Sequence, residues 1–249
     1  MSEDQKPPVN QAARRQPSRQ PVFLLPAPVT ALCGLLLAIH LAQSLVLNDA
    51  GRGLMLTWLA FVPYRIIDPG AYLGGVWPLS WTSVTHALLH ASWEHVGFNV
   101  VWLAIFGTPV VQRYGTVKLL VMFFGGAAIG AWAFAAIDHG LDEYLIGASG
   151  GIAALTGAAT RFIFQPLVVQ VDELTGERRV VGRQLATLAD LVRNPTARIF
   201  ALAWLVLNGL APLLPALLGP DTPTIAWQAH IAGFVAGLLL VPLFEKRHP

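Results

Sequence analysis

The stretch Leu145-Ile146-Gly147-Ala148-Ser149-Gly150-Gly151-Ile152-Ala153-Ala154 decides the fold that we predict for this chain. It places one serine among glycines at the start of an apolar run that continues to Phe164. Small residues on both sides allow other backbone and side chains to approach the Ser149 hydroxyl closely. Because the apolar run is hydrophobic enough to lie in lipid, the sequence predicts a polar side chain at the edge of a bilayer.

The composition is that of a membrane protein. Of the 249 residues, 55% are hydrophobic and only 12% are charged, which would leave a soluble domain with too little polar surface. The one cysteine, Cys33, has no partner in the sequence, which excludes an intrachain disulfide and a thiolate metal site. We therefore predict an all-α integral membrane protein, and we expect no cofactor, no metal and no nucleic-acid partner.

Six apolar runs have roughly the 20 residues that a helix needs to cross ~30 Å of hydrocarbon. They belong to one domain, residues 29–244, which we expect to lie between a disordered cytoplasmic tail, residues 1–28, and a short cytoplasmic tail, residues 245–249. His40, in the first run, is expected to be a neutral ring that is hydrogen-bonded to a neighbouring helix. The predicted spans are residues 29–47, 93–111, 117–137, 148–164, 199–218 and 226–244.

Two connections between the spans have structure of their own. Residues 48–85 are rich in aromatic residues and broken by prolines, which predicts a membrane-embedded first outer loop at the lipid–water interface. Residues 165–198 form a large polar cytoplasmic loop. Within it, the valine-rich segments 168–171 and 180–181 flank a turn and predict a β-hairpin, and residues 185–192 predict a short amphipathic helix.

The basic residues predict the orientation of the spans. Of the 16 Lys and Arg residues, all but Arg52 and Arg65 lie in one of three regions. These 14 lie in the tails, from the end of the second span to the start of the third, or from the end of the fourth span to the start of the fifth. The positive-inside rule then places both termini in the cytoplasm, which requires an even number of spans. We expect this multi-pass protein in a bacterial inner membrane.

Polar side chains from three spans are predicted to meet at the outer level of the membrane. Ser149 begins the fourth span, His230 lies near the start of the sixth, and His95 and Asn99 lie in the first two turns of the second. At ~1.5 Å of rise per residue, all four lie within roughly 10 Å of the outer helix ends. Ionisable residues inside membrane spans commonly mark a functional path, so we treat this level as a candidate site.

Glycines explain how these groups could come together. Gly150 on the fourth span and the pair Gly233 and Gly237 on the sixth offer small faces that let two helix axes approach closely. Gly147 frees the turn that precedes the serine. We therefore predict that the serine hydroxyl and the sixth-span histidine ring reach hydrogen-bond distance.

The chemistry that this pair could perform follows from what a serine hydroxyl lacks. Serine becomes a useful nucleophile when a neutral imidazole removes its proton, and the imidazolium can then protonate the leaving amine. Because the fourth and sixth spans contain no carboxylate, we predict a dyad of Ser149 and His230. The Ser149 N–H, the Asn99 amide and the His95 ring are the candidate donors to the oxyanion.

Two further histidines invite a zinc site but do not fit one. On a continuous helix His95 is rotated ~140° from His90, and the spacing matches neither His-Glu-x-x-His nor His-x-x-Glu-His. We expect His86 and His90 to be structural residues whose hydrogen bonds tie the outer loop to the second span.

Three motifs now stand in order along the predicted spans: His86-Ala87-Leu88-Leu89-His90-x4-His95-x3-Asn99, Gly147-Ala148-Ser149-Gly150 and Ala229-His230-x2-Gly233-x3-Gly237. Together they resemble the motifs of the rhomboid intramembrane serine proteases, and the resemblance covers about residues 29–244.

This resemblance implies a six-transmembrane-helix rhomboid-like bundle. It implies Ser149 as nucleophile, His230 as base, and His95 with Asn99 as donors that stabilise the transition state. It further implies that single-span transmembrane substrates enter sideways from the lipid bilayer, past a mobile fifth span, with the 219–225 loop as a cap.

Two positions depart from the family pattern. Trp81-Thr82 stands where the family often has Trp-Arg, which anchors the interfacial loop. Ala153 stands where some members carry a tyrosine that stacks on the histidine. Neither departure removes a catalytic group.

Other functions fit the sequence less well. A soluble hydrolase with a Gly-x-Ser-x-Gly elbow needs a preceding strand and an α/β sheet. A proton or metal transporter needs a polar path to both sides, and the inner halves of the spans carry little polarity. We predict an intramembrane serine endopeptidase that cleaves transmembrane helices near the outer face. The alternative is a non-catalytic rhomboid-like binder or chaperone of membrane helices, although such relatives usually lack the serine or the histidine.

Overall fold

The computed structural model describes residues 25–138, 143–171, 176, 178–219 and 224–245. Most of the two predicted tails therefore lies outside the described residues, as do parts of the hairpin turn and of the proposed cap loop. In chain order the described elements are α1 (Ala27–Leu45), α2 (Asp49–Leu59), α3 (Leu79–Thr85), α4 (Trp93–Tyr114), α5 (Thr116–Asp138), α6 (Ser149–Thr160), β1 (Leu167–Val171), β2 (Arg178–Arg183), α7 (Leu188–Arg193), α8 (Pro195–Gly209), α9 (Leu214–Leu218) and α10 (Trp227–Leu240).

Five helical stretches in the described part of the chain are long and apolar enough to cross a membrane. They are α1, α4 and α5, together with Pro195–Leu213, which contains α8, and Trp227–Phe244, which contains α10. These stretches correspond to five of the six predicted spans. The predicted fourth span corresponds to α6, which differs from the other five.

The helix α6 is short and lies at the centre of the bundle. Its 12 residues give it a length of ~18 Å, well below the ~30 Å of a bilayer core. Every residue from Gly150 to Thr160 is buried, and α4, α5 and α10 pack around the helix. Because protein surrounds it, this helix has no need to match the thickness of lipid.

Backbone atoms make the contact between α6 and α10. A Cβ atom added to Gly237 would lie 1.8 Å from the carbonyl oxygen of Ala154, and one added to Gly157 would lie 2.0 Å from that of Phe234. These distances leave no room for a side chain at either glycine. The small faces of both helices therefore let their backbones touch.

Arg65 holds together the connection between α1 and α4. Its side chain is fully buried, and its guanidinium donates to the carbonyl oxygens of Leu73 and Gly75, each at 2.8 Å, and of Thr57 at 2.6 Å. These bonds link the end of α2 with the turns that follow. Arg65 thus anchors this loop.

The connection between α6 and α8 contains the predicted hairpin and helix. The strands β1 and β2 pair antiparallel, with a bulge between Val168 and Val169. The helix α7 begins at Leu188, later than predicted, because Thr187 and Asp190 form a reciprocal capping box around its first turn.

Candidate active site

Three helices begin at the same end of the bundle and bring the predicted site residues together. Ser149 is the first residue of α6, His230 lies in the first turn of α10, and His95 lies in the first turn of α4. The Oγ atom of Ser149 lies 2.6 Å from Nε2 of His230, a hydrogen-bond distance. The structure therefore places the candidate nucleophile directly against the candidate base.

Gly147 shapes the turn that delivers Ser149 to this position. Its φ angle of +125° lies in a region that favours glycine, and a Cβ atom there would lie 2.8 Å from the His95 ring. Its N–H also donates to the carbonyl oxygen of His86 at 3.0 Å. Both contacts seat the turn against the segment that leads into α4.

The close approach of α6 and α10 at the site depends on Gly233 more than on Gly150. A Cβ atom on Gly233 would lie 2.2 Å from the carbonyl oxygen of Gly150. A Cβ atom on Gly150 would instead lie no closer than 3.6 Å to its neighbours, at an ordinary contact distance. Two of the atoms that it would meet belong to Ala229 of α10, so Gly150 does face the histidine helix, with room for one methyl group. The role of Gly150 in admitting that helix stays a prediction.

The two predicted oxyanion donors, His95 and Asn99, both lie in the first two turns of α4. The ring of His95 packs against Gly147, while the Asn99 side chain is buried and its Nδ2 donates to the carbonyl oxygen of His95 at 3.0 Å. Within the described residues, neither side chain forms a hydrogen bond with Ser149. The structure thus places the His95 ring beside the turn that precedes Ser149, while Asn99 lies one helical turn further along α4.

The amino-terminal end of α6 supplies further donors. Ala148 is the N-cap residue, and no side chain caps the helix. The first N–H groups of a helix have no acceptor within it, and the helix dipole favours negative charge at that end. A negative oxygen beside Ser149 would therefore meet backbone donors that are already oriented.

His86 and His90 support the serine turn, and the expectation that they tie the outer loop to the second span is corrected. The Nδ1–H of His86 donates to the carbonyl oxygen of Thr82 at 2.9 Å, and Nε2 of His90 accepts from the N–H of Ala148 at 3.5 Å. Burial lowers the pKa of His86 to about 4 and that of His90 to about 3, with the neighbouring His95 and His40 rings adding to the shift of His90. Both rings are therefore neutral at neutral pH.

His40 also differs from expectation. Neither ring nitrogen has a hydrogen-bond partner in the part of the chain that the structure describes. The ring instead packs edge-on against Trp93, with centroids 4.6 Å apart. Among the described residues, no three His, Cys, Asp or Glu side chains are grouped so that they could hold a metal ion.

Sequence reasoning missed Asn208, which contacts the candidate base. Its Oδ1 lies 2.8 Å from Nδ1 of His230, and its Nδ2 donates to the carbonyl oxygen of Trp204 at 2.8 Å. The sequence did carry a signal, because Asn208 is the one side-chain amide in the predicted fifth span, residues 199–218. Since no carboxylate was available, the histidine was predicted to have no orienting partner.

Comparison with known proteins gives consistent matches. The model of the Rhomboid domain family matches residues 79–247. A protein named "Rhomboid protease GlpG" from Pectobacterium atrosepticum is 31% identical over 215 residues, which cover 86% of this chain and 63% of that protein. Proteins of the same name from Serratia proteamaculans and Yersinia enterocolitica are 28% and 29% identical, over 85% of this chain in each case and 62% and 59% of their own lengths. The chain thus spans less than two thirds of each of these relatives.

Proposed function

Because the chain belongs to the rhomboid family, we propose that it is an intramembrane serine endopeptidase that cleaves transmembrane helices near the outer face of the membrane. The observation that carries this proposal is the 2.6 Å contact between Ser149 Oγ and His230 Nε2 at the shared end of α6 and α10. In the alternative function, a non-catalytic binder of membrane helices, this pair would have no role.

The proposed reaction uses the pair as nucleophile and base. Nε2 of His230 takes the hydroxyl proton while Ser149 Oγ bonds to the substrate carbonyl carbon, which gives a tetrahedral oxyanion. Collapse of this intermediate breaks the peptide C–N bond, and the imidazolium gives its proton to the leaving amine. A water molecule then attacks the acyl-serine with the same base, which releases the acid and restores the Ser149 hydroxyl.

The oxyanion would lie at the uncapped amino-terminal end of α6. The N–H of Ser149 is the nearest backbone donor, and the helix dipole stabilises the negative charge. His95 lies beside the turn, and Asn99 lies one helical turn deeper on the same helix. To serve as a further donor, the Asn99 amide would have to leave the carbonyl oxygen of His95, which its Nδ2 now contacts.

The membrane topology is part of the proposal. The chain is a multi-pass integral membrane protein, and we assign it six transmembrane segments by counting α6 with the five long stretches. The first outer loop, which carries the partly exposed Trp58, Trp77 and Trp81, lies in the outer interface. Both termini lie in the cytoplasm, since the basic residues concentrate at that side, and the membrane is the bacterial inner membrane.

The substrates that fit this site are single-span transmembrane proteins that reach it from the lipid bilayer. An amide within a helix is shielded, and its carbonyl is already hydrogen-bonded, so cleavage needs local unwinding near the outer end of the substrate helix. Such a segment would expose its carbonyl carbon at the depth of Ser149.

Labelling with a fluorophosphonate tests the nucleophile and the base. We expect the purified protein to be labelled, and Ser149→Ala and His230→Ala to lose the labelling. The matched control Ser80→Ala removes an exposed serine of α3 and should label like wild type. Undiminished labelling of the Ser149→Ala variant would disprove the assignment.

Cleavage in lipid tests the substrate class. Wild type in proteoliposomes with a single-span model substrate should give two fragments whose masses locate the cut near the outer end of the span, and Ser149→Ala should give none. A wild-type protein that binds the substrate helix, is not labelled and produces no fragments would support the binder function instead.

A further inference from the structure

We propose that Asn208 is a positioning residue that holds the His230 ring in the tautomer and orientation needed to take the serine proton. This proposal rests on the proposed protease function and extends the pair to a third side chain, which comes from a third helix. Asn208 would touch neither the substrate nor the reacting atoms, so it acts through His230 alone.

The hydrogen bonds around the ring assign its protons. For Nε2 to accept the proton of Ser149, the neutral ring must carry its own proton on Nδ1. The neighbour of Nδ1 is Oδ1 of Asn208 at 2.8 Å, an atom that can only accept. The pattern is consistent with one tautomer only, in which Nδ1–H donates to Asn208 and Nε2 faces the hydroxyl.

A second bond fixes the orientation of the amide itself. Its Nδ2 donates to the carbonyl oxygen of Trp204, which also can only accept. A flipped amide would place an oxygen against that carbonyl and an NH₂ group against the Nδ1–H of His230, which would lose both bonds. The backbone of α8 therefore determines which atom Asn208 presents to the histidine.

The hydrogen bond between Nδ1–H of His230 and Oδ1 of Asn208 persists through the reaction. When Nε2 receives the serine proton, the imidazolium still carries its Nδ1–H, and Oδ1 of Asn208 still accepts it. A hydrogen bond to a charged donor is stronger than one to a neutral donor, so the contact tightens as the charge forms. Asn208 would thus stabilise the imidazolium as a neutral acceptor, without the negative charge that a carboxylate would add inside the membrane.

The position of Asn208 makes the base depend on how α8 is docked. Ala197, at the far end of α8, is the one buried residue of this helix, and Asn208 itself is half-buried near its outer end. In this region α8 meets α10 through the stacked rings of Trp204 and Phe234, whose centroids lie 4.4 Å apart. Displacement of α8 would remove the acceptor from Nδ1, so the catalytic set is complete only while α8 is in place.

Substitutions of Asn208 test this role. Asn208→Ala removes the acceptor, and we expect the rate of fluorophosphonate labelling to fall by about tenfold or more, a part of the roughly 10²- to 10⁴-fold that a positioned base contributes. Asn208→Asp keeps an acceptor of nearly the same shape and should label faster than the alanine variant. The matched control Leu207→Ala, which changes an exposed neighbour on α8, should label like wild type.

The pH profile separates positioning from a structural role. The carboxylate of Asn208→Asp favours the imidazolium, so we expect the acidic limb of its labelling profile to move to higher pH by about one unit or more. The groups that face His230 are Ser149 on α6, Asn208 on α8 and His95 on α4, and only position 208 is changed. A structural role for Asn208 would leave the limb in place.

The outcomes distinguish the two proposals. If wild type is labelled and Asn208→Ala labels at the same rate, or if the limb of Asn208→Asp does not move, the positioning role is wrong while the protease function stands. If wild type itself is not labelled, the protease function fails. Should the alanine variant not fold, as judged by circular dichroism and thermal unfolding, the Asn208→Asp profile still decides the question.

Discussion

The helix α10 carries the candidate base and α8 contacts it, yet the two helices are held in different ways. The backbone of α10 lies directly on that of α6, with glycines at Gly157, Gly233 and Gly237 where no side chain would fit. The helix α8 meets its neighbours through aromatic side chains, Trp204 on Phe234 and Phe200 on Phe106. Backbone contacts of this kind leave little free space for a shift, whereas a side chain can adopt another rotamer.

The two helix contacts therefore control different features of the candidate site, one a distance and the other an orientation. The contact of α6 with α10 sets the distance between Ser149 and His230, the proposed nucleophile and base, and this distance must stay within a narrow range for proton transfer. In our proposal, the contact of α8 with α10 sets the orientation of His230, and it uses different side chains from the first contact. A helix held by side-chain packing thus contributes to a site whose main pair lies on two helices in backbone contact.

The largest effect is expected where a side chain is forced between the two backbones. Gly237→Ala places a Cβ atom against the Ala154 carbonyl, and we expect a loss of stability at or above the upper end of the ~1–3 kcal/mol that overpacking costs, together with loss of activity. Thermal unfolding in detergent measures this. Gly209→Ala on α8 is the matched control, since its Cβ would meet nothing within 4 Å, and it should unfold like wild type. Equal effects at both positions would remove the distinction between the helices.

A second pair of substitutions sharpens the comparison at the site itself. Gly233→Ala should reduce labelling of Ser149 strongly, because its Cβ would press on the Gly150 carbonyl and move His230 away from the serine. Gly150→Ala, on the opposite side of the same contact, should retain most of the activity, since a methyl group there meets only ordinary contacts. The ratio of the two labelling rates is the measurement, and a lower rate for Gly150→Ala would contradict the assignment of the crowded side.

The buried histidines that support the serine turn, His86 and His90, should make the stability of the protein depend on pH. In the folded protein the pKa values of His86 and His90 lie at about 4 and about 3, below the ordinary value of ~6.5, so the unfolded chain binds more protons. Stability is therefore complete above pH ~6.5 and falls as the pH drops below it, by up to about 1.4 kcal/mol per pH unit for each histidine.

Thermal unfolding between pH 7.5 and 5 measures this loss, which should be smaller in the His90→Gln variant. A variant that keeps the full wild-type slope would show that His90 is not buried in its neutral form.

The smallest expected effect is a difference in amide hydrogen exchange between helices of the wild-type protein. We expect the backbone amides of α8 to exchange with deuterium faster than those of α6 and α10, by roughly tenfold, because so little of α8 is buried. Exchange followed by mass spectrometry in detergent micelles measures this for each helix. Equal protection of α8 and α10 would show that side-chain packing holds α8 as firmly as backbone contact holds α10.

Hydrophobic run lengths predicted most of the fold, because a bilayer fixes how long a spanning helix must be. Five of the predicted spans correspond to long apolar helical stretches. The fifth span was predicted to start at residue 199, but α8 begins at Pro195. The helix begins there because Asn194 caps it by accepting from the N–H groups of Thr196 and Ala197. The apolar run of residues 148–164 overstated α6, whose helix ends at Thr160, because a buried helix and a spanning helix have the same composition.

The sequence predicted those site residues whose placement depends only on how far they lie along a helix. Counting residues placed Ser149, His230 and His95 at one level, and the structure brings all three to the same end of the bundle. Counting could not reveal Asn208, because its contact depends on how α8 is rotated about its own axis. Nor could it reveal Arg65, whose partners are backbone carbonyls that no residue type marks.

The shortness of α6 has a consequence for how the protein senses its membrane. Because other helices surround it, α6 is shielded from changes in lipid thickness, whereas the lipid-exposed α8 must tilt or shift to relieve hydrophobic mismatch. If Asn208 positions His230 as proposed, a thicker or thinner bilayer would change the angle of α8 relative to α6, and with it the alignment of Asn208 on His230. Acyl-chain length would then affect the candidate active site through the strain on α8, without any lipid-binding pocket.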